Sequence, residues 1–142
     1  MNRPPAPELA AAAELLTPGK ALDLACGSGR HTFWLRERGW DVTAVDREGF
    51  DGCVKADLEL GEFTVQPAAW DLIVCWLYWQ RDLLSAIERG VKPGGLAAMC
   101  GKTSGRFAVS LAELRAGFPG WKELASGENE IRAFLIVEKP VD

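Results

Sequence analysis

Several features that define other protein classes are scarce in this 142-residue chain. Its longest apolar run, residues 72–79, is far shorter than the roughly 18 residues that indicate a membrane span. The 16 basic residues are outnumbered by 20 acidic ones, and the net charge of -4 lacks the positive field that nucleic acids and anionic membranes favour. We therefore predict neither a nucleic-acid partner nor a membrane association.

Metal-binding and disulfide patterns are also missing. Cys26, Cys53, Cys75 and Cys100 stand far apart, mostly in apolar runs, without the paired spacing of a zinc site or the density of a disulfide scaffold. His31 is the only histidine. We expect reduced thiols, no metal site and a cytoplasmic protein.

The N-terminal segment, residues 1–19, is predicted to be a leader with one amphipathic helix. Leu9, Ala12 and Leu16 recur at helical spacing. Glu8 and Glu14 interrupt the apolar stretch, which argues against a signal peptide.

From residue 20 onward, strand-like runs alternate with helical patterns. The predicted strands are residues 20–26, 41–46, 53–57, 70–79, 96–101, 121–126 and 132–139. The predicted helices are residues 28–38, with Ser28 as N-cap and Gly39 as stop, residues 81–90, and one behind a Ser110-x-x-Glu113 capping box. This order predicts a single α/β domain over residues 1–142, with a Rossmann-like, doubly wound, mostly parallel seven-stranded sheet and an antiparallel C-terminal strand.

Glycines and acids follow the first three predicted strands, at the sheet edge where such folds bind ligands. Gly27 and Gly29 follow the first strand, Asp46 ends the second and Asp57 ends the third. The glycines would let a ligand approach the backbone, and a carboxylate after the second strand suits a ribose diol. Such a carboxylate is expected to add little to the stability of the ligand-free protein. NAD and S-adenosylmethionine both fit, although Thr32 stands where the dinucleotide fingerprint has a third Gly or Ala.

The ordered set of segments resembles the class I S-adenosylmethionine-dependent methyltransferase family. "LDLACGSGR" is similar to its first motif, "VTAVD" to its ribose-binding acid and "KADL" to its adenine-contacting strand end. "WDLIV" and "VKPGG" are similar to its fourth strand and the turn before its fifth. The resemblance covers residues 20–139 and is strongest to small-molecule methyltransferases that include the tellurite-resistance type.

The resemblance implies roles for individual residues. Asp23 would brace the glycine turn, Asp46 would bind the ribose hydroxyls and Asp57 the adenine amino group. Arg30 would pair with the cofactor carboxylate or face solvent. The implied S-adenosylmethionine site consists of Asp23, Ala25, Cys26, Gly27, Gly29, Arg30, Asp46, Arg47, Asp57, Leu58, Cys75 and Trp76.

The acceptor site is expected beside the end of the fourth strand. Trp76, Tyr78 and Trp79 cluster there, and they either shape an apolar acceptor site or pack in the core. His31 is a further candidate acceptor-site residue, as a base or as a capping side chain. No catalytic residue is assigned.

Two departures from the family leave alternatives open. Ala25 stands where the family often has glycine, and the segment between Asp46 and Cys53 is too short for an ordinary crossover helix. The leader is short as well. Either the acceptor is small, a second subunit of a homodimer supplies the cover, or catalysis has been lost.

The resulting functional prediction is an S-adenosylmethionine-dependent methyltransferase that acts on a small-molecule acceptor by in-line transfer. An inactive or accessory cofactor-binding subunit is the alternative, and an NAD-binding domain is third.

Overall fold

A seven-stranded mixed sheet forms the centre of the structure, a computed structural model that describes residues 3–141. Its strands are β1 (Lys20–Leu24), β2 (Asp41–Asp46), β3 (Val54–Lys55), β4 (Trp70–Trp76), β5 (Val91–Lys102), β6 (Lys122–Glu128) and β7 (Arg132–Glu138). They lie in the order β3-β2-β1-β4-β5-β7-β6. The first five strands are parallel to one another, whereas β7 is antiparallel to both β5 and β6. The predicted fold class is confirmed.

Short helices connect the strands. The described part of the chain has α1 (Pro7–Ala13), α2 (Arg30–Glu37), α3 (Leu84–Gly90), preceded by a 3-10 turn, and α4 (Leu111–Ala116). The predicted capping box starts α4: the Glu113 N–H donates to Ser110 Oγ at 3.1 Å, and the Ser110 N–H donates to the Glu113 carboxylate at 3.2 Å. Within residues 3–141, none of the helices has the length and apolarity needed to cross a bilayer.

The core lies on both faces of the sheet, because alternate residues of a strand point to opposite sides. On the leader face, Leu72 and Trp76 of β4 pack with Leu9 of α1. On the α4 face, Ile73 and Cys75 of β4 belong to the cluster that includes the α4 residue Leu114. Burying each large aliphatic side chain stabilises the fold by roughly 1.5 to 3 kcal/mol. Burial on both faces explains the continuous apolar run of β4.

Among the element boundaries that differ from the predictions, the start of α2 and the end of β4 lie at the sheet edge of the predicted site. The N-cap of α2 is Gly29 in a left-handed conformation, with φ of 92°, and no side chain caps the helix, so Ser28 is not the N-cap. Strand β4 ends at Trp76, three residues early, because Leu77 turns left-handed with φ of 61° and donates its N–H to the Cys100 carbonyl.

The "VKPGG" turn lies inside β5. The register of its pairing with β4 shifts between Trp70 and Leu72, which pair with Val91 and Leu96. The turn is therefore an irregularity within a long strand.

The crossover from β2 to β3 contains no helix. Residues 47–53 form turns, and β3 pairs with β2 through only Val45 with Val54 and Asp46 with Lys55. Because so few residues pair, a short connection between the two strands is enough. The sequence prediction that this segment is too short for a crossover helix agrees with the structure. Strand β3 is also shorter than the predicted 53–57, and both of its residues are exposed.

Candidate functional site

A left-handed turn follows β1 and makes the first wall of the site. Ala25, Gly27 and Gly29 have φ of 55°, 57° and 92°. A Cβ atom on Gly27 would meet no described protein atom within 4 Å, so this backbone faces open space. A Cβ atom on Gly29 would lie 2.7 Å from Phe33 and 2.8 Å from Phe50. Packing against Phe33 and Phe50 therefore explains why residue 29 is a glycine, whereas the missing side chain at Gly27 leaves room for a ligand.

Asp46, at the end of β2, accepts hydrogen bonds from backbone N–H groups of two separate chain segments. One carboxylate oxygen accepts the Gly27 N–H at 2.9 Å, and the other accepts the N–H groups of Glu48 at 2.9 Å and Gly49 at 3.0 Å. Partial burial alone would raise the pKa of Asp46, but these three donors outweigh it and lower the pKa below its usual value. These three bonds favour a contribution of Asp46 to the stability of the ligand-free protein, contrary to the expectation from the sequence.

Asp23 lies on β1 beneath the glycine turn and is buried. Its carboxylate accepts the Thr32 hydroxyl at 2.7 Å, which connects β1 to the first turn of α2. Burial raises the pKa of Asp23 to about 7, with a further contribution from the nearby Asp46, although the Thr32 bond opposes the shift. Asp23 is thus held close to the point of protonation at neutral pH.

A cavity of about 200 Å³ opens beside Asp46 and brings predicted cofactor residues together. Its lining comprises Ala25, Asp46, Arg47, Ala56, Asp57, Leu58, Glu59 and Tyr78. The Asp57 carboxylate accepts the Glu59 N–H at 2.9 Å, and the Asp57 N–H donates to Glu62 at 2.7 Å, which fixes this end of the cavity. We call it the small cavity.

A second cavity, of about 800 Å³, adjoins the small cavity. It is lined by Glu59, Leu77, Tyr78, Trp79, Gln80, Arg81, Lys102, Ser104, Gly105, Arg106, Phe107 and Ala108. Glu59 and Tyr78 line both cavities and form their shared wall. The Tyr78 hydroxyl donates to Gln80 at 2.6 Å, and Gln80 donates to the Leu58 carbonyl at 3.1 Å. We call this the large cavity; it contains the predicted acceptor-site residues Tyr78 and Trp79.

The side chains of Cys75 and Trp76 lie outside both cavities. The Cys75 thiol is buried on the α4 face and contacts the Tyr78 carbonyl at 3.6 Å. The Trp76 indole, 6% exposed, packs on the leader face with its ring centre 6.0 Å from that of His31. For Trp76, core packing is therefore the role its side chain has in this structure. Cys26 is half-buried beside Gly27, and its N–H donates to the Val45 carbonyl at 3.0 Å.

His31 and Arg30 face the leader. His31 Nε2 accepts the Ala6 N–H at 3.2 Å, and Arg30 donates to the Pro4 carbonyl at 3.4 Å. Burial, with smaller effects of neighbouring arginines, lowers the pKa of His31 to about 4, so the imidazole is neutral at neutral pH. The structure assigns both side chains contacts with the leader and places neither in the lining of the two cavities.

Sequence reasoning missed most of the large cavity. Lys102 ends β5, and Arg106 and Phe107 lie in the loop that follows. The signal was available, since the segment after the fifth parallel strand leaves the same sheet edge as the glycine turn. Glu59 and Gln80 were also missed.

Comparisons with known proteins find similar sequences and similar structures. A family profile described as "Tellurite resistance protein TehB" matches residues 4–68. Malonyl-[acyl-carrier protein] O-methyltransferase of Salmonella typhimurium is 37% identical over 108 residues, which are 66% of this chain and 41% of that protein.

Solved structures share the fold. TehB from Haemophilus influenzae superposes with a TM-score of 0.79 at 19% identity, over 93% of this chain and 61% of that one. The 1,6-didemethyltoxoflavin-N1-methyltransferase of Burkholderia thailandensis, solved with bound 1,6-didemethyltoxoflavin and S-adenosylhomocysteine, gives a TM-score of 0.68 at 19% identity, over 93% of this chain and 76% of that one. This chain thus spans less than two thirds of the Salmonella and Haemophilus proteins. The chain is thus similar in sequence to the TehB family and to the Salmonella methyltransferase, and it shares the fold of the two solved structures.

Proposed function

We propose that this protein is an S-adenosylmethionine-dependent methyltransferase that acts on a small-molecule acceptor. The observation that carries the proposal is the pair of adjoining cavities, with Asp46 in one and a shared wall of Glu59 and Tyr78. Two similar proteins are named as methyltransferases, and one was solved with S-adenosylhomocysteine. A nucleoside cofactor in the small cavity would lie next to an acceptor in the large one.

The residues of the small cavity fit a nucleoside. A carboxylate has about four lone-pair directions, and Asp46 uses three for backbone N–H groups, which leaves one to accept a ribose hydroxyl. Asp57 and Leu58 stand at the far end of the wall, where they would contact the adenine. The open backbone at Gly27 is where the methionine portion would approach, because a side chain there would fill that space.

The bound cofactor would supply an electrophilic methyl group on a sulfonium: an acceptor lone pair would form a bond to the methyl carbon in line with the carbon–sulfur bond, whose electron pair would pass to sulfur as the thioether leaves. For this reaction the chain's own residues chiefly orient the acceptor and exclude water. Burial raises the pKa of Tyr78 to about 12, with the nearby Glu59 adding to the shift, so Tyr78 stays protonated at neutral pH. Tyr78 is therefore suited to donate a hydrogen bond at the shared wall.

Thermal-shift titrations test the cofactor assignment. S-adenosylmethionine and S-adenosylhomocysteine should each raise the melting temperature, and NAD should leave it unchanged. The diagnostic variant is Gly27→Ala, and the matched control is Gly94→Ala, since Gly94 also has positive φ and open space but lies at the turn within β5. Both variants carry similar backbone strain, so a loss of ligand-induced stabilisation only in Gly27→Ala places the ligand at this turn.

Transfer itself requires a screen of small-molecule acceptors with radiolabelled S-adenosylmethionine. Incorporation of label into an acceptor supports the enzyme assignment. Cofactor binding without transfer to any acceptor would instead favour an inactive or accessory subunit, and stabilisation by NAD alone would overturn the cofactor assignment.

A further inference from the structure

The large cavity has two walls of different character. The wall that it shares with the small cavity contains Glu59 and Tyr78. The other wall is formed by the end of β5 and the loop after it, including Lys102, Arg106 and Phe107. An acceptor bound here would therefore have its reacting atom near the shared wall and the rest of its structure toward the β5 loop.

The large cavity also presents large hydrophobic side chains. Phe107 is 57% exposed and Leu77 is 44% exposed, although both are large hydrophobic side chains. Trp79 lines the same space. Leu77 also holds a left-handed conformation, which is costly for any residue with a Cβ atom, and such strain is typical of functional sites. These three side chains offer contact area for a planar or aliphatic group.

Positive charge is concentrated on the wall away from the small cavity. Arg81 forms an ion pair with Glu113 at 2.7 Å, so its charge is already engaged. Lys102 and Arg106 have no ion-pair partner among residues 3–141. The Arg106 guanidinium stacks over the Phe107 ring at 5.2 Å, which places a cation directly beside the apolar surface. In a chain of net charge -4, two cations without an ion-pair partner, on the wall away from the Glu59 carboxylate, favour an anionic ligand.

The loop that carries these groups is fixed at both ends. The Val109 N–H donates to the Lys102 carbonyl at 2.9 Å, and the Thr103 N–H donates to the Ile131 carbonyl at 3.1 Å. The Thr103 hydroxyl also donates to the Asn129 carbonyl at 2.9 Å. Lys102 and Arg106 are thus held at the cavity by a loop whose ends are anchored to the sheet.

We propose that the large cavity selects an organic acid: an acceptor with an aromatic or aliphatic body, packed on Leu77, Trp79 and Phe107, and a carboxylate or similar anion, bound by Lys102 and Arg106. This inference rests on the proposed function only in treating the bound molecule as the methyl acceptor. The binding of an apolar anion in the large cavity does not depend on that function. The anion would orient the molecule, and the lone pair that receives the methyl group would lie at the opposite end.

A pair of fluorescent probes tests the site without the true acceptor. 8-Anilinonaphthalene-1-sulfonate carries an aromatic body and one anionic group, and N-phenyl-1-naphthylamine has the same body without the charge. Fluorescence titrations without cofactor should show that wild type binds the sulfonate more tightly than the amine. The double variant Lys102→Gln/Arg106→Gln should weaken sulfonate binding by about tenfold and leave amine binding unchanged, because charge-assisted hydrogen bonds are lost while the apolar surface stays.

The matched control is Arg89→Gln/Lys122→Gln, which removes the same charge from exposed positions outside the large cavity. It should bind both probes as wild type does, and Phe107→Ser should weaken both. Equal sulfonate affinity of wild type and Lys102→Gln/Arg106→Gln, or equal affinity of wild type for the two probes, would overturn the proposal. A protein that binds the sulfonate through Lys102 and Arg106 but does not bind S-adenosylhomocysteine would keep the anion site and overturn the proposed function.

Discussion

Asp46→Asn tests whether a single carboxylate supports both the fold and cofactor binding. In wild type, one oxygen accepts the Gly27 N–H and the other accepts those of Glu48 and Gly49. Asparagine has only one acceptor oxygen, so either the Gly27 N–H or the other two N–H groups lose their partner, and the remaining bonds lose their charge. Hydrogen bonds to charged groups contribute about 1.5 to 3 kcal/mol against about 0.5 to 1.5 for neutral ones.

The net cost follows from these values and from the exposure of the site. The substitution removes at least one hydrogen bond and weakens the others. Because Asp46 is only partly buried, water replaces part of this loss. We therefore expect the free energy of unfolding to fall by about 2 kcal/mol. For a chain of this length, that corresponds to a melting temperature about 6 to 8 °C lower. Because the pKa of Asp46 is lowered in the fold, its contribution is present above about pH 4 and is lost as the pH falls through the folded value. The difference from wild type should therefore shrink in acid.

Asp57→Asn is the matched control, since Asp57 is also a carboxylate in the lining of the small cavity, shortly after β3, but among the described residues its side chain accepts only the Glu59 N–H. Thermal melts should show a smaller decrease for Asp57→Asn. If Asp46→Asn melts as wild type does, the three backbone bonds do not support the fold. Calorimetry with S-adenosylhomocysteine should show an affinity about ten- to a hundredfold lower for Asp46→Asn. Equal affinity would mean that another group holds the ribose.

Three other substitutions separate packing, strain and charge. Gly29→Ala should lower the melting temperature more than Gly27→Ala, because its Cβ would clash with Phe33 and Phe50; equal decreases in thermal melts would contradict this explanation. Ala25→Gly should raise the free energy of unfolding by about 0.5 to 1 kcal/mol in urea titrations, since relief of left-handed strain exceeds the entropy cost of glycine; a loss of stability would disprove the strain argument. His31→Gln should remove a pH dependence. Wild type favours neutral His31, so its stability should fall by up to about 3 kcal/mol as the pH falls from about 6.5 to about 4, and parallel curves for the two proteins would refute the assignment.

The succession of strands and helices along the chain was predictable because its signals are local. Apolar runs, the glycines that end them and the acids after β2 and β3 all lie within a few residues of the feature that they indicate. The small cavity follows from the same signals, since the sheet topology alone brings Asp46 and Asp57 to one edge. Ala25, Arg47 and Leu58 lie beside them for the same reason.

Predictions that depended on distant contacts were less complete. The sequence predicts that Gly29 binds the ligand, yet Phe33 and Phe50 fill the space that a Cβ atom of residue 29 would need. Phe50 belongs to the irregular segment after β2. The three N–H groups bound by Asp46 come from the glycine turn and from residues 48 and 49. No pattern in the sequence indicates that these groups meet at one carboxylate.

The end of β4 explains why two neighbouring aromatic residues have different environments. Strand pleating directs Cys75 to the α4 face and Trp76 to the leader face, where the indole packs beside His31. The left-handed Leu77 then ends the strand, and the chain from Leu77 to Arg81 lines the large cavity. A left-handed conformation costs about 1 to 2 kcal/mol for such a residue, and the bond from its N–H to the Cys100 carbonyl helps to hold it. Leu77 thus separates the leader face, which α1 covers, from the large cavity, where an acceptor would enter.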